Sequence, residues 1–184
     1  DASQSPDSSV ACFAEEAADA GEPGLDAICK GLPYAAVVCP ADAAGDTRPV
    51  GVQVCDHLFK LGDLKASAAK EIGDCLKALA NGPGACTKEH DDAADVCSRT
   101  LFARSACTVP SETIDGGSSA GCAQIVATCA DGGAPVKLED CNRLLGPWSK
   151  STRRDMIECY FDPDTADPGT SCAEKFESNC VDPL

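Results

Sequence analysis

Aromatic side chains are scarce in this sequence: one Trp, two Tyr and five Phe serve 184 residues. A core of ordinary size is short of its bulkiest fillers. Basic residues are few as well, 15 against 30 acidic ones, and the formal charge of −15 repels phosphate backbones and anionic lipid surfaces. Nucleic acid is therefore not an expected partner. No run approaches the ~18 apolar residues of a membrane span, so none is expected. The sequence has no Asn-x-Ser/Thr sequon and no C-x-x-C-H motif for covalent haem. It starts at Asp1 with no Met and no apolar h-region, the expectation for a mature chain whose signal peptide has been removed.

Cysteine is what the chain has instead. Fourteen outnumber the eight aromatic residues, and the even count permits seven bridges. That balance is typical of secreted, disulfide-stapled proteins, so a secreted, extracellular or cell-surface location is expected. Laying the chain against itself exposes a repeat. Cys12, Cys29, Cys39, Cys55, Cys75, Cys86 and Cys97 are separated by 17, 10, 16, 20, 11 and 11 positions. Cys107, Cys122, Cys129, Cys141, Cys159, Cys172 and Cys180 follow at 15, 7, 12, 18, 13 and 8. Neighbouring residues agree: Cys55-Asp-His-Leu58-Phe59 lies opposite Cys141-Asn-Arg-Leu144-Leu145, and Ile72-Gly-Asp-Cys75-Leu76 opposite Met156-Ile-Glu-Cys159-Tyr160. The expected organisation is a polar tail over 1–8, a seven-cysteine unit over 9–104 and a second over 105–184. The "PSETIDGGSSAG" loop, Pro110 to Gly121, reads as a flexible linker near their boundary.

The fold class expected is all-α, two tandem multi-helix units braced by seven disulfides. Ile72, Cys75, Leu76 and Leu79 fall at i, i+3, i+4 and i+7, as do Cys122, Ile125, Val126 and Cys129. Ser171-x-x-Glu174 is a capping box, and Asn81-Gly82-Pro83 a stop signal. Helices are predicted over 9–20, 24–30, 33–39, 50–61, 66–80, 88–104, 120–130, 137–146, 150–161 and 171–180. Strand-like alternation is nearly absent. Residues seven or eight apart on one helix are ~10 to 12 Å apart, beyond the ~7 Å a disulfide spans. Cys122 cannot pair with Cys129, nor Cys172 with Cys180, so the bridges join one helix to another. If both units pair alike, one odd cysteine from each joins the halves, and Cys12 with Cys107 is the expected pair. In architecture alone, such stapled helical modules resemble the extracellular cysteine-rich domains of the neurotrophic-factor co-receptors; no motif matches residue by residue.

The chemical candidates are sparse. Thiolate metal sites usually bring two ligands from one turn, as in C-x2-C or Cys and His three to five apart. The closest cysteines here are seven positions apart and only Cys86 and His90 have such spacing, so no metal or other cofactor is expected. "CTKEHDD", Cys86 to Asp92, resembles over six residues the Cys-x-x-x-His-Asp helix of secreted phospholipases A2, in which the histidine activates water and the aspartate helps hold calcium. "ALANGPGA" stands where the calcium loop should be, and the Cys172 to Cys180 segment has no histidine. Gly117-Ser-Ser119-Ala-Gly121 fits the G-x-S-x-G elbow but has no strand before it, and both His57 and His90 precede Ser119. Asp162 to Gly169 resembles an acidic calcium loop, but Ala166 and Asp167 stand where an EF-hand needs an oxygen ligand and a glycine. No catalytic residues are assigned.

Charge is uneven. Residues 137–154 hold Lys137, Arg143, Lys150, Arg153 and Arg154 against Glu139 and Asp140, a local +3 beside the single Trp148. Arg143, Trp148, Lys150, Arg153 and Arg154 form the candidate interface, and its expected partner is an acidic face of another copy, in a homo-oligomer or filament. The expected function is a secreted, non-enzymatic structural subunit of an extracellular assembly such as a filament, surface appendage or coat. The alternative is a monomeric binding module for a protein, glycan or small apolar ligand. A small hydrolase built on His90 and Asp91 ranks third.

Overall fold

The computed structural model describes residues 24–82, 84–103, 108–114, 117–129, 135–162 and 171–181. The predicted tail over 1–8, the helix over 9–20, and Cys12 and Cys107 with their expected bridge lie outside these residues. The described chain is mostly helical: α1 (Leu25–Lys30), α2 (Val50–Leu61), α3 (Ala66–Ala78), α4 (Lys88–Leu101), α5 (Cys122–Thr128), α6 (Leu138–Leu145), α7 (Lys150–Phe161) and α8 (Cys172–Glu174). A 3-10 turn over Leu79–Asn81 follows α3, and α8 runs on in wider π-type turns over Lys175–Val181.

The helices form where periodicity and caps agree. On α3 the buried residues Ala68, Ala69, Ile72, Gly73 and Leu76 make one stripe, and on α4 His90, Ala94, Cys97 and Leu101 make another. Thr87 caps α4 by accepting from the His90 N–H, Ser149 caps α7 through the Thr152 N–H, and Ser171 caps α8 through the Glu174 N–H. Small residues on these stripes answer the shortage of aromatics. A Cβ at Gly73 would stand 2.8 Å from Ile28 Cγ2, so α1 and α3 are packed closer than any side chain there would permit.

Disulfides then join neighbouring elements. Cys29–Cys55 ties α1 to α2, Cys75–Cys97 ties α3 to α4, and Cys39–Cys86 ties the loop after α1 to the turn before α4. Cys122–Cys141 ties α5 to α6, and Cys159–Cys180 ties α7 to the closing π-type turns. Among the described residues each bridge thus links different elements, as helix geometry requires. Cys129 and Cys172 are thiols in this structure.

Two expectations are corrected. The helix expected over 33–39 is a pair of turns, closed by Ala35 N–H to the Leu32 carbonyl and Val37 N–H to the Tyr34 carbonyl. Pro40 and the β-branched pair Val37-Val38 disfavour continuation. The loop expected over Pro110 to Gly121 contains a hairpin, β1 (Glu112–Thr113) antiparallel to β2 (Ser119–Ala120), with Glu112 opposite Ala120. It turns through Gly117 at φ +78° and is anchored by Glu112, whose side chain is buried against α7.

The α2–α3 loop and the α6–α7 loop meet as an antiparallel bridge, Leu64 opposite Trp148. Lys65 N–H donates to the Pro147 carbonyl at 2.9 Å, and Ser149 N–H donates to the Asp63 carbonyl at 2.8 Å. Asp63 N–H in turn donates to Thr152 Oγ1 at 2.9 Å. Gly62 makes the approach possible: its φ is +149°, and a Cβ there would stand 2.4 Å from the Thr152 methyl. Trp148 closes this seam from inside, fully buried with its ring 6.1 Å from that of Phe102. No helix among the described residues is long and apolar enough to cross a membrane.

Candidate functional site

The basic island divides into a buried clamp and a thin surface remnant. Arg153 lies in the fourth position of α7, where the helix turns its buried face toward β1. It is fully buried, and its guanidinium donates to Glu112 Oε1 at 2.6 Å through one terminal nitrogen and at 3.2 Å through Nε. The other terminal nitrogen donates to the Trp148 carbonyl at 2.9 Å. A charge taken out of water is tolerated only when paired and hydrogen-bonded in this way. The clamp therefore fastens the hairpin to the seam, and neither Arg153 nor Trp148 offers a surface to a partner. This corrects two of the five expected interface residues. The sequence shows a cluster of cations but not which of them Glu112, 41 residues away, will take.

Arg143, Lys150 and Arg154 remain at the surface. Arg143 is half-buried and pairs with Asp140 at 3.4 Å. Arg154 meets Asp155 at 2.9 Å and Glu158 at 3.7 Å along its own helix. Lys150, in the first turn of α7, is exposed. Much of the local positive charge is thus answered by the same helices, and exposed pairs of this kind contribute ~0 to 1 kcal/mol.

The histidine–aspartate pair does not assemble a catalytic site. His90 is 1% exposed and packs edge-on to Tyr34, ring centroids 4.7 Å apart at 89°. Neither ring nitrogen has a hydrogen-bond partner, and burial holds the imidazole below its ordinary pKa in spite of neighbouring Asp91. A general base must reach its proton at ~2.6 to 3.2 Å, and this one is walled off from solvent. The Tyr34 hydroxyl donates to the Leu76 carbonyl at 2.8 Å, and burial pushes its pKa up to about 12.

A cleft of about 230 Å³ opens beside the Cys39–Cys86 bridge, lined among others by Pro40, Asp42, Asp46, Arg48 and Asp91. Its polar groups are partly committed to holding the loop. Asp42 accepts from the N–H groups of Ala44 and Asp46, and Arg48 binds Asp46 at 2.6 Å and also Asp56. The hydrogen bonds from Arg48 hold the Asp46 carboxyl down to about 2. No group of three or more His, Cys, Asp or Glu among the described residues is arranged to hold a metal ion. Most of the acidic loop beginning at Asp162 lies outside the described residues.

A third cluster was invisible to sequence reasoning. Tyr160 on α7 places its hydroxyl 2.7 Å from Cys129 Sγ, and donates to Cys172 Sγ at 3.4 Å. Burial pushes both the Tyr160 hydroxyl and the Cys129 thiol upward, so both are protonated at neutral pH. Comparison of the chain with protein-family models, with curated proteins and with solved structures finds no match.

Proposed function

We propose that this chain is a secreted, non-enzymatic structural subunit of an extracellular assembly, built from two tandem seven-cysteine units. The observation that carries the reading is the density of covalent bracing: among the described residues, five disulfides join element to element around a core poor in aromatics. Bridges contribute ~2 to 4 kcal/mol each, without simple additivity, where whole domains are stable by ~5 to 15 kcal/mol. Such excess suits a part made to persist. The bridges and the absence of a membrane-spanning helix among the described residues are consistent with an extracellular location.

The tandem reading is supported by the stretch from Gly62 to Leu76 laid against Gly146 to Tyr160. Gly62 faces Gly146, Ser67 faces Ser151, and Cys75 faces Cys159. The ion pairs agree as well: Lys70–Asp74 on α3 and Arg154–Glu158 on α7 occupy the same two positions. The two residues that face each other across the seam, Leu64 and Trp148, are each eleven positions before these cysteines. Each loop donates one N–H and accepts one at matching places, the relation expected of two copies about a twofold axis.

The test is the particle mass and shape of the protein at low and moderate salt, by light scattering and electron microscopy. The assembly reading expects particles well above the 18.8 kDa of one chain, with a distribution that responds to salt. A stable particle of one chain's mass under every condition overturns it. One observation favours a second reading, a monomeric binding module: Val37 and Val38, 41% and 78% exposed, adjoin the cleft beside Cys39. Under that reading the cleft and this apolar rim receive the ligand.

A further inference from the structure

We infer that Cys129 and Cys172 close a disulfide, and that it is the second half's counterpart of Cys39–Cys86. Two independent observations converge on it. The first is position. Both sulfurs meet at the same oxygen, the Tyr160 hydroxyl, 2.7 Å from Cys129 Sγ and 3.4 Å from Cys172 Sγ. The two thiols also lie within hydrogen-bonding reach of each other. The second is order. Numbering the cysteines along each half, Cys29–Cys55 and Cys122–Cys141 both join second to fourth, while Cys75–Cys97 and Cys159–Cys180 both join fifth to seventh. In the first half the third and sixth are joined, as Cys39–Cys86. In the second half the third and sixth are Cys129 and Cys172, the two thiols among the described residues.

The surroundings correspond too. Cys86 stands just before α4 and Cys172 opens α8, so each sixth cysteine is at the start of the helix that carries the seventh. Closing the bridge would fasten the end of α5 to the start of α8, as Cys39–Cys86 fastens the loop after α1 to the start of α4.

The chemistry needs a two-electron oxidant of the disulfide class, such as glutathione disulfide or the disulfide of an oxidoreductase. Cys172, the more accessible thiol, loses its proton and attacks the donor disulfide, forming a mixed disulfide and releasing one donor thiolate. The deprotonated sulfur of Cys129 then displaces the second donor thiolate and forms the Cys129–Cys172 bond. Two protons leave the protein thiols, and the donor ends as two thiols.

The inference rests on the tandem reading but not on assembly, and a disulfide map separates them. The whole chain, produced under oxidising conditions, is unfolded in iodoacetamide without reductant, digested and mapped by mass spectrometry. The expected result is no alkylation at Cys129 or Cys172 and a linked peptide containing both. The five bridges described above serve as the internal control. Alkylation of both residues with those five intact overturns the Cys129–Cys172 bridge and leaves the tandem reading standing. Linkage of either cysteine to any other partner overturns both. A Cys129→Ser variant adds a second readout: it should carry one new alkylated site, at Cys172, and a new site elsewhere or none at all counts against the bridge.

Discussion

Glu112 is a carboxylate in a stretch that reads as a linker, and in the fold it is 3% exposed and holds the buried Arg153. Glu112→Ala would leave the guanidinium buried without its counter-charge, a loss of about 3 to 5 kcal/mol. Thermal or urea unfolding with disulfides intact measures it. Replacing both partners, Glu112→Leu with Arg153→Met, is expected to recover most of that loss, and recovery is what distinguishes a desolvated ion pair from simple packing. His90 carries a different expectation. Burial lowers its pKa in the folded chain, so below the ordinary value of about 6.5 the unfolded chain takes up a proton that the folded chain refuses. Stability therefore falls as pH drops from about 6.5 toward the folded-state value and is flat above it on this account. The urea midpoint between pH 7.5 and 5 should show that slope, and His90→Leu should flatten it. Neither role is legible from the sequence, since the partner of Arg153 is 41 residues away and the burial of His90 depends on Tyr34 arriving from another segment.

Elements were far more legible than sites. The ranges read from periodicity for α2 and α7, 50–61 and 150–161, are the ranges observed, because an apolar stripe and a clear stop or start coincide there. The 33–39 expectation fails because the apolar residues there cluster without helical spacing. The hairpin was missed because two-residue strands carry no alternation. The seam between the α2–α3 and α6–α7 loops was missed for a related reason: it is made by main-chain atoms, which any sequence possesses. Lys65→Pro isolates that seam. Lys65 has φ −57°, already suited to proline, so the substitution removes the N–H donated to Pro147 without bending the backbone. The expected cost is about 1 kcal/mol or somewhat more, since the carbonyl loses its partner. Hydrogen exchange at Ser149, across the bridge, should speed up if the seam acts as one unit, and unchanged exchange there would separate the two bonds.

On the scale of the whole molecule, the formal charge of −15 and the four cations left at the surface of the basic island, Lys137, Arg143, Lys150 and Arg154, set the terms of association. Arg143→Glu, Lys150→Glu and Arg154→Glu together change the charge by −6 without touching the clamp, and under the assembly reading they shift the particle mass toward a single chain at low salt. Unchanged particles would place the contact elsewhere. Composition and cysteine count make the braced, helical character legible, while the position of the seam depends on two distant loops meeting in the fold. That seam has one more consequence. Its two hydrogen bonds run between backbone groups at matching places in the two loops, and Pro147 stands where only a carbonyl is required. Because those two bonds use main-chain atoms alone, Asp63-Leu64-Lys65 and Pro147-Trp148-Ser149 meet without sharing a single residue. The handshake works like a keyless lock, indifferent to spelling and sensitive to spacing: inserting or deleting one residue in either loop would undo what many substitutions leave intact.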